Sequence, residues 1–325
     1  MKQIYICPQN KELLKESKEG LIRTDGKLYP YLKGDKNILI PDFSTENEKS
    51  TEFINEYDSK ESTVFYQNFL DWLFTTFNEK EYEFRIKVLK KLNLCKNYKV
   101  LITGCGLGAD IQPIIDLFGS FGELYVCDLS AEMVIEASYK NQEIDNIFFS
   151  VCNAQNTPFK DDFFDGAFHF GGINMFDDIK SAIIEMNRVV KSGGKVVFGD
   201  EGIAPWLRDT EYGSIAINNN QLWNMEAPIN MIPKNAIDVN LTWMLGNCFY
   251  IIDFVVSNTE LFMNIDVPNK GVRGGTMRTR YYGKLEGVTE ETKIKIINEA
   301  KSIGISVHDW LENICNKELL SRKEK

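Results

Sequence analysis

Three glycines, Gly104, Gly106 and Gly108, close the run "VLITGCGLGADI" at residues 100–111. β-branched residues and leucine running into glycines predict a buried strand that ends at a ligand, because a residue without Cβ lets the ligand reach the main chain. The stretch satisfies G-x-G-x-G and also, through Gly104, Gly106 and Ala109, the looser G-x-G-x-x-A of dinucleotide binders. Taken alone it indicates a nucleoside-containing ligand, or only a tight turn. Asp128 narrows the choice. It ends the next strand-like run, "ELYVCD", twenty positions after Gly108, where a carboxylate can accept hydrogen bonds from both ribose hydroxyls. Further on, His169 lies near the end of "FDGAFHFG", while Asp200 and Glu201 lie in "KVVFGDEG". Imidazole titrates in the working range and can act as a base. The two carboxylates could take a proton, orient an amine or cap the next helix. Asn174 could orient a substrate, although asparagine in a loop is also ordinary turn chemistry.

These residues need a scaffold that brings strand ends together. From about residue 99 the pattern alternates strand and helix: "KVLIT", "ADIQPIIDLFGS", "ELYVCD", "SAEMVIEASYK" with Ser130 as N-cap, "NIFFSVC" and "FDGAFHFG". Next come "DDIKSAIIEMNRVVKSGG", capped by Asp177 or Asp178 and terminated at Gly193, and then "KVVFGDEG". Apolar strands interleaved with helices predict an α/β fold whose mostly parallel sheet is covered on both faces. Two later runs, "CFYIIDFVVS" and "MRTRYYGKLEG", are expected to complete the sheet as an antiparallel pair. Upstream, "TVFYQNFLDWLFTTF" places Phe65, Phe69, Trp72, Leu73 and Phe77 at helical spacing.

The segment "NAQNTPFKDDFFDGAFHFGGINMFDDIKSAIIEMNRVVKSGGKVVFGDE" resembles the class I S-adenosylmethionine-dependent methyltransferases along its whole length. In that family a polar segment after strand three meets adenine, here "CNAQNTPF" with Asn153 and Ala154. The family's helix ending R-V-L-K-P-G-G is matched by "RVVKSGG", with Ser192 in the proline's place. Among its groups the ubiquinone/menaquinone-type (type 11) methyltransferases are the most similar: F-G-(I/L)-R-N-V-x-D parallels Phe170 to Asp178, with Asn174 on the asparagine. The resemblance implies a Rossmann-like sheet and S-adenosyl-L-methionine as cofactor, held by Gly104, Gly106, Gly108, Asp128, Leu129, Asn153, Ala154 and Phe170. Two departures matter. The acidic residue usual two positions before the first glycine is Ile102 here, which leaves Asp110 or a residue outside the core to serve the methionine amino group. The arginine of the quinone-type segment falls on Ile173, so the acceptor is not specified as a quinone.

Residues 1–45 are similar to the small zinc-ribbon-like domain of methyltransferase activator proteins, in "ICPQNKELL…GLIRTDGKLYPYLKGDKNILIPDF". Of its C-P-x-C pattern only Cys7 remains, with Asn10 at the second position, so no metal is expected. The domain division read from the sequence is therefore a β-rich module at 1–45 and a linker with helical lid at 46–94. A methyltransferase domain follows at 95–288, with a substrate-specificity insertion at 203–247, and then C-terminal helices at 289–325.

The chain has 325 residues, 43% hydrophobic and 26% charged, with net charge −10. That balance is of a globular protein, and no run approaches the roughly 18–20 apolar residues of a membrane helix. Without a clustered basic footprint a nucleic-acid partner is not expected. Seven scattered cysteines without C-x-x-C, and an N-terminus that turns polar early, predict a reduced, cytoplasmic protein. The expected function is methylation of a small, apolar or aromatic acceptor, with His169, Asp200 and Glu201 as catalytic candidates. Tyr66, Asn174 and Trp206 are the substrate candidates, and Trp223, Trp243, Phe65 and Phe69 are candidate parts of a lid. An rRNA or tRNA methyltransferase, an NAD-dependent oxidoreductase and a catalytically silent cofactor-binding partner are the alternatives. The helical C-terminus is a candidate homodimer interface.

Overall fold

The computed structural model describes residues 4–33, 38–46, 59–94, 97–119, 122–259, 262–270, 275–282 and 288–323. Most of the acidic linker, together with Cys95 and Arg273, lies outside the described residues. The chain divides into two compact units, Met1–Glu260 and Leu261–Lys325.

In the first unit, β1 (Lys15–Glu16), β2 (Gly20–Ile22), β3 (Leu28–Lys33) and β4 (Leu39–Pro41) form a four-stranded antiparallel sheet in that order. Two helices follow, α1 (Lys60–Thr76) and α2 (Glu81–Leu89). Ser59 caps α1 by accepting from the Ser62 N–H, and Leu70, Leu73 and Phe74 bury its apolar stripe.

The alternating region forms β5 (Lys99–Thr103), α3 (Ile111–Phe118), β6 (Glu123–Asp128), α4 (Ala131–Lys140), β7 (Ile147–Val151), β8 (Phe164–Phe170), α5 (Ile179–Val189) and β9 (Val190–Glu201). After α6 (Glu211–Asn219) come β10 (Ala236–Met244) and β11 (Phe249–Val256). The seven-stranded sheet runs β10-β11-β9-β8-β5-β6-β7. β5 to β9 are parallel, and β11 pairs antiparallel with both β9 and β10. Strand order reverses between β5 and β8, so the crevice beyond their carboxyl ends is where an open α/β sheet holds a ligand.

Successive residues of β5 face opposite layers, as the two-residue strand period requires. Val100 and Ile102 join a core with Leu73, Phe84, Val88, Ile114 and Val134, while Leu101 joins one with Ile183, Met186, Tyr29 and Phe43. The N-terminal sheet is thus part of the layer on the α5 side. It also grips β7 and the segment after it: the Phe43 N–H donates to the Val151 carbonyl at 2.8 Å and the Ile6 N–H to Pro158 at 2.9 Å. Tyr5 bridges Phe159, whose ring is fully buried. Cys7 is buried with its thiol 3.3 Å from the Tyr29 hydroxyl, and among the described residues no group of three His, Cys, Asp or Glu could hold a metal ion.

Three expectations are corrected. The antiparallel partner of β11 is Ala236–Met244, inside the stretch read as a specificity insertion, and Met277–Tyr282 is a helix, α7. As an edge strand, β10 keeps Asp238, Val239 and Asn240 in solvent, so it lacks the continuous apolar run of its neighbours. Gly193 does not end α5; the helix gives way at Val190 and Gly193 lies within β9 at φ +86°. The second unit holds α7, α8 (Glu290–Ser302) and α9 (Val307–Lys323), with α9 against the other two. Among the described residues no helix is long and apolar enough to cross a membrane.

Candidate active site

The glycine loop leaves β5 under tight steric control. Gly104 has φ +60°, and a Cβ there would come within 2.6 Å of His169 Cε1 on the neighbouring β8. A Gly104→Ala chain should therefore lose more than about 1 kcal/mol of stability, measurable by urea unfolding, because neither the backbone nor the imidazole has room to comply. At Gly106 the backbone N–H donates to Asp128 Oδ2 at 2.9 Å, while Asp128 Oδ1 accepts from the Ser130 N–H at 3.0 Å. One carboxylate therefore ties the glycine loop to the start of α4. Asp128 lines a cavity of about 390 Å³, within the usual range for small-molecule sites.

This cavity lies over the carboxyl ends of the parallel strands. Leu129, Asn153 and Ala154 line one end, Gly104, Gly106 and Tyr66 the middle, and His169, Phe170, Asp200 and Glu201 the other end. With Asp128, the structure thus gathers eleven of the residues singled out in the sequence. Phe65 and Phe69 of α1 also line it, as a partly open roof.

Four candidates do not line the cavity. Gly108 packs against Ala137 and Asn141 just ahead of α3. Asp110 is buried, with Oδ1 2.7 Å from Arg85 Nη1. Asn174 is a brace: its backbone N–H donates to Asp200 Oδ2 at 2.7 Å, its side-chain amide to the Glu201 carbonyl at 2.6 Å, and its Oδ1 accepts from the Tyr250 hydroxyl at 2.9 Å. Trp206 is 61% exposed and meets Trp243 edge-on at 5.2 Å. Trp223 is buried against Phe77 and Phe249, and the Trp243 indole donates to the Gly202 carbonyl. None of the three tryptophans lines the cavity.

Arg85 is a site residue that the sequence reading missed. It is 4% exposed, lines the cavity, and bonds both Glu81 (2.8 Å) and Asp110 (2.7 Å). Its signal was present: Phe84, Arg85, Val88 and Leu89 share one buried face of α2, and an arginine in such a stripe requires a partner.

Burial shifts the acceptor-end groups. His169 hydrogen-bonds Thr103 Oγ1 through Nδ1 at 3.0 Å, its Nε2 is buried without a partner, and desolvation lowers its pKa to about 4. The imidazole is therefore neutral at pH 7 and keeps one ring nitrogen for a ligand. Desolvation pushes Asp200 up to about 6, against backbone N–H groups of Asn174 and Glu201 that favour its charged form. Desolvation, then repulsion from Asp200, pushes Glu201 up to about 7. Both folded values exceed the unfolded ones, near 3.9 and 4.3. The folded state therefore binds protons more tightly, and stability falls as pH climbs from about 4 to about 7. Glu201→Gln should raise the melting temperature by a few degrees at pH 8 and change it little at pH 4, which thermal melts at the two pH values will check.

A parallel sheet with an antiparallel last pair, a glycine loop after its first parallel strand and an acid ending the second make a Rossmann-like arrangement of the kind seen in methyltransferases. Residues 101–198 match the methyltransferase-domain family model. Demethylmenaquinone methyltransferase of Geobacillus sp. (strain WCH70) is 32% identical over 143 residues, covering 43% of this chain and 56% of that protein. The Staphylococcus aureus (strain MRSA252) enzyme of the same name is 32% identical over 119 residues, 37% and 49% of the two chains. The chain thus spans about half the length of these curated relatives. In fold it is similar to Haemonchus contortus phosphoethanolamine N-methyltransferase 2 in complex with S-adenosyl-L-methionine: TM-score 0.52, 15% identity, covering 68% of this chain and 62% of that one.

Proposed function

We propose that this protein transfers a methyl group from S-adenosyl-L-methionine to a small molecule. The observation that carries the reading is the carboxylate of Asp128, fixed by Gly106 and Ser130 at the wall of an open cavity, where ribose hydroxyls would find it. Adenine would lie at the Leu129, Asn153 and Ala154 end. The Arg85 guanidinium, buried and lining the same cavity, is the group for the methionine carboxylate. The N-terminal sheet then braces the adenine segment, through Ile6, Phe43 and the Lys11 ammonium on Asn156.

Methyl transfer is an in-line displacement in which the acceptor atom bonds to the methyl carbon and the carbon–sulfur pair stays on sulfur. Holding the partners in line contributes about 7–11 kcal/mol, and a walled cavity under an aromatic roof is suited to doing so. Of the catalytic candidates, Glu201 is the better proton acceptor, because both Asp200 oxygens take backbone N–H groups. His169 is the second candidate. The free thiols of five buried cysteines support placing the protein in the reducing cytoplasm. Thermal unfolding tests the cofactor: S-adenosylmethionine at a hundred times its Kd should stabilise the protein by about 2.7 kcal/mol, while NAD leaves the melt unchanged. A shift with NAD alone would contradict the proposal.

A further inference from the structure

The cavity is electrically one-sided. Asp128, Asp177, Asp200 and Glu201 line the cavity, and Arg85 is the one Lys or Arg among its described lining residues. Arg85 already bonds Glu81 and Asp110, and is assigned above to the cofactor's methionine carboxylate. An anionic acceptor would meet buried carboxylates with no free cation in the described wall, and desolvating such a charge without a partner is costly.

Glu201 differs from its neighbour Asp200. Asp200 accepts from the Glu201 and Asn174 N–H groups at 2.8 and 2.7 Å. Glu201 is 6% exposed, yet the hydrogen bond its side chain receives from Asn220 Nδ2 is long, 3.4 Å. The Trp223 indole lies near it, but Nε1 forms no proper hydrogen bond. A buried carboxylate with so little to hold it calls for a donor from outside the chain. His169, 1% exposed, also lines the cavity, with Nε2 unpartnered. Beside Glu201, Phe170 and Phe249 stand with ring centres 6.0 Å apart, Phe249 directly opposite Glu201 in the β9–β11 register. A weakly held carboxylate beside aromatic rings suits a group that carries both positive charge and several N–H bonds.

We propose that the acceptor is a small, largely apolar amine that enters as its ammonium ion, with Glu201 as counter-ion and proton acceptor, and Phe170 and Phe249 as the wall against its charge. The inference rests on the methyl-transfer reading and narrows its acceptor. In the reaction R–NH3+ gives a proton to Glu201. The freed nitrogen lone pair bonds to the methyl carbon, and the carbon–sulfur pair remains on sulfur. The products are R–NH2+–CH3 and S-adenosylhomocysteine, and the proton on Glu201 leaves to solvent.

The test is calorimetric titration of the full chain, first with S-adenosylhomocysteine and then, once that is bound, with three probes that share a 2-phenylethyl body: 2-phenylethylamine, 2-phenylethanol and 3-phenylpropanoate. The amine should bind at least tenfold tighter than the alcohol, and the carboxylate more weakly than either. Glu201→Gln should erase the preference while S-adenosylhomocysteine binds as before. Phe249→Leu, which leaves the charge in place, should weaken the amine more than the alcohol. Equal or tighter binding of the alcohol or carboxylate, failure of the amine to bind, or a preference that survives Glu201→Gln would overturn the proposal. Failure to bind S-adenosylhomocysteine would instead defeat the methyl-transfer reading, and it is read in a separate titration.

Discussion

Replacing Arg85 by methionine is expected to cost about 3–5 kcal/mol of stability. The guanidinium is almost wholly buried and holds two carboxylates, of which Asp110 is itself buried at the start of α3. Its removal leaves Asp110 desolvated without a counter-charge, which is worse than having no charges there. Urea unfolding should show the loss as a lower midpoint, and the pair Arg85→Met with Asp110→Leu should recover much of it. If Arg85→Met unfolds like the parent, the pair does not hold α2 to α3. The same substitution should weaken S-adenosylmethionine more than adenosine, because only the former carries a carboxylate for the guanidinium to meet.

Asp128→Ala should abolish cofactor binding in practice. Hydrogen bonds to a charged group contribute about 1.5–3 kcal/mol each, so losing two ribose contacts predicts a fall of roughly 10²- to 10⁴-fold. The Gly106 and Ser130 N–H groups would lose their acceptor too, loosening the glycine loop. Asp128→Asn separates the effects: it keeps one acceptor oxygen but loses the charge, and should fall between parent and alanine. Equal affinity for all three chains would place the ribose elsewhere.

The parts of the fold legible in the sequence are those buried on both sides. β5, β6, β8 and the outer half of β9 read as apolar runs because helices or a second sheet cover each face, and Gly104 and Asp128 end their strands as the spacing required. β10 was hidden by its polar outward residues. Met277–Tyr282 carries β-favouring tyrosines and threonine yet folds as a helix, a local propensity overridden by its surroundings. In the site, glycines, acids and His169 were legible because their types are few and their places at strand ends fixed. Arg85 was not, because only packing brings α2 against the loop at Asp110. Trp206 was misplaced for the converse reason: a large aromatic in a loop carries no signal of the direction it faces.

The most direct test of cofactor binding at Asp128 is calorimetric titration of the purified chain with S-adenosylmethionine, S-adenosylhomocysteine and NAD, repeated on Asp128→Asn. The first two are expected to bind at one site per chain and NAD not at all, with Asp128→Asn binding both at least tenfold more weakly. Binding of NAD in their place, or affinity for S-adenosylmethionine that ignores Asp128, would contradict the assignment.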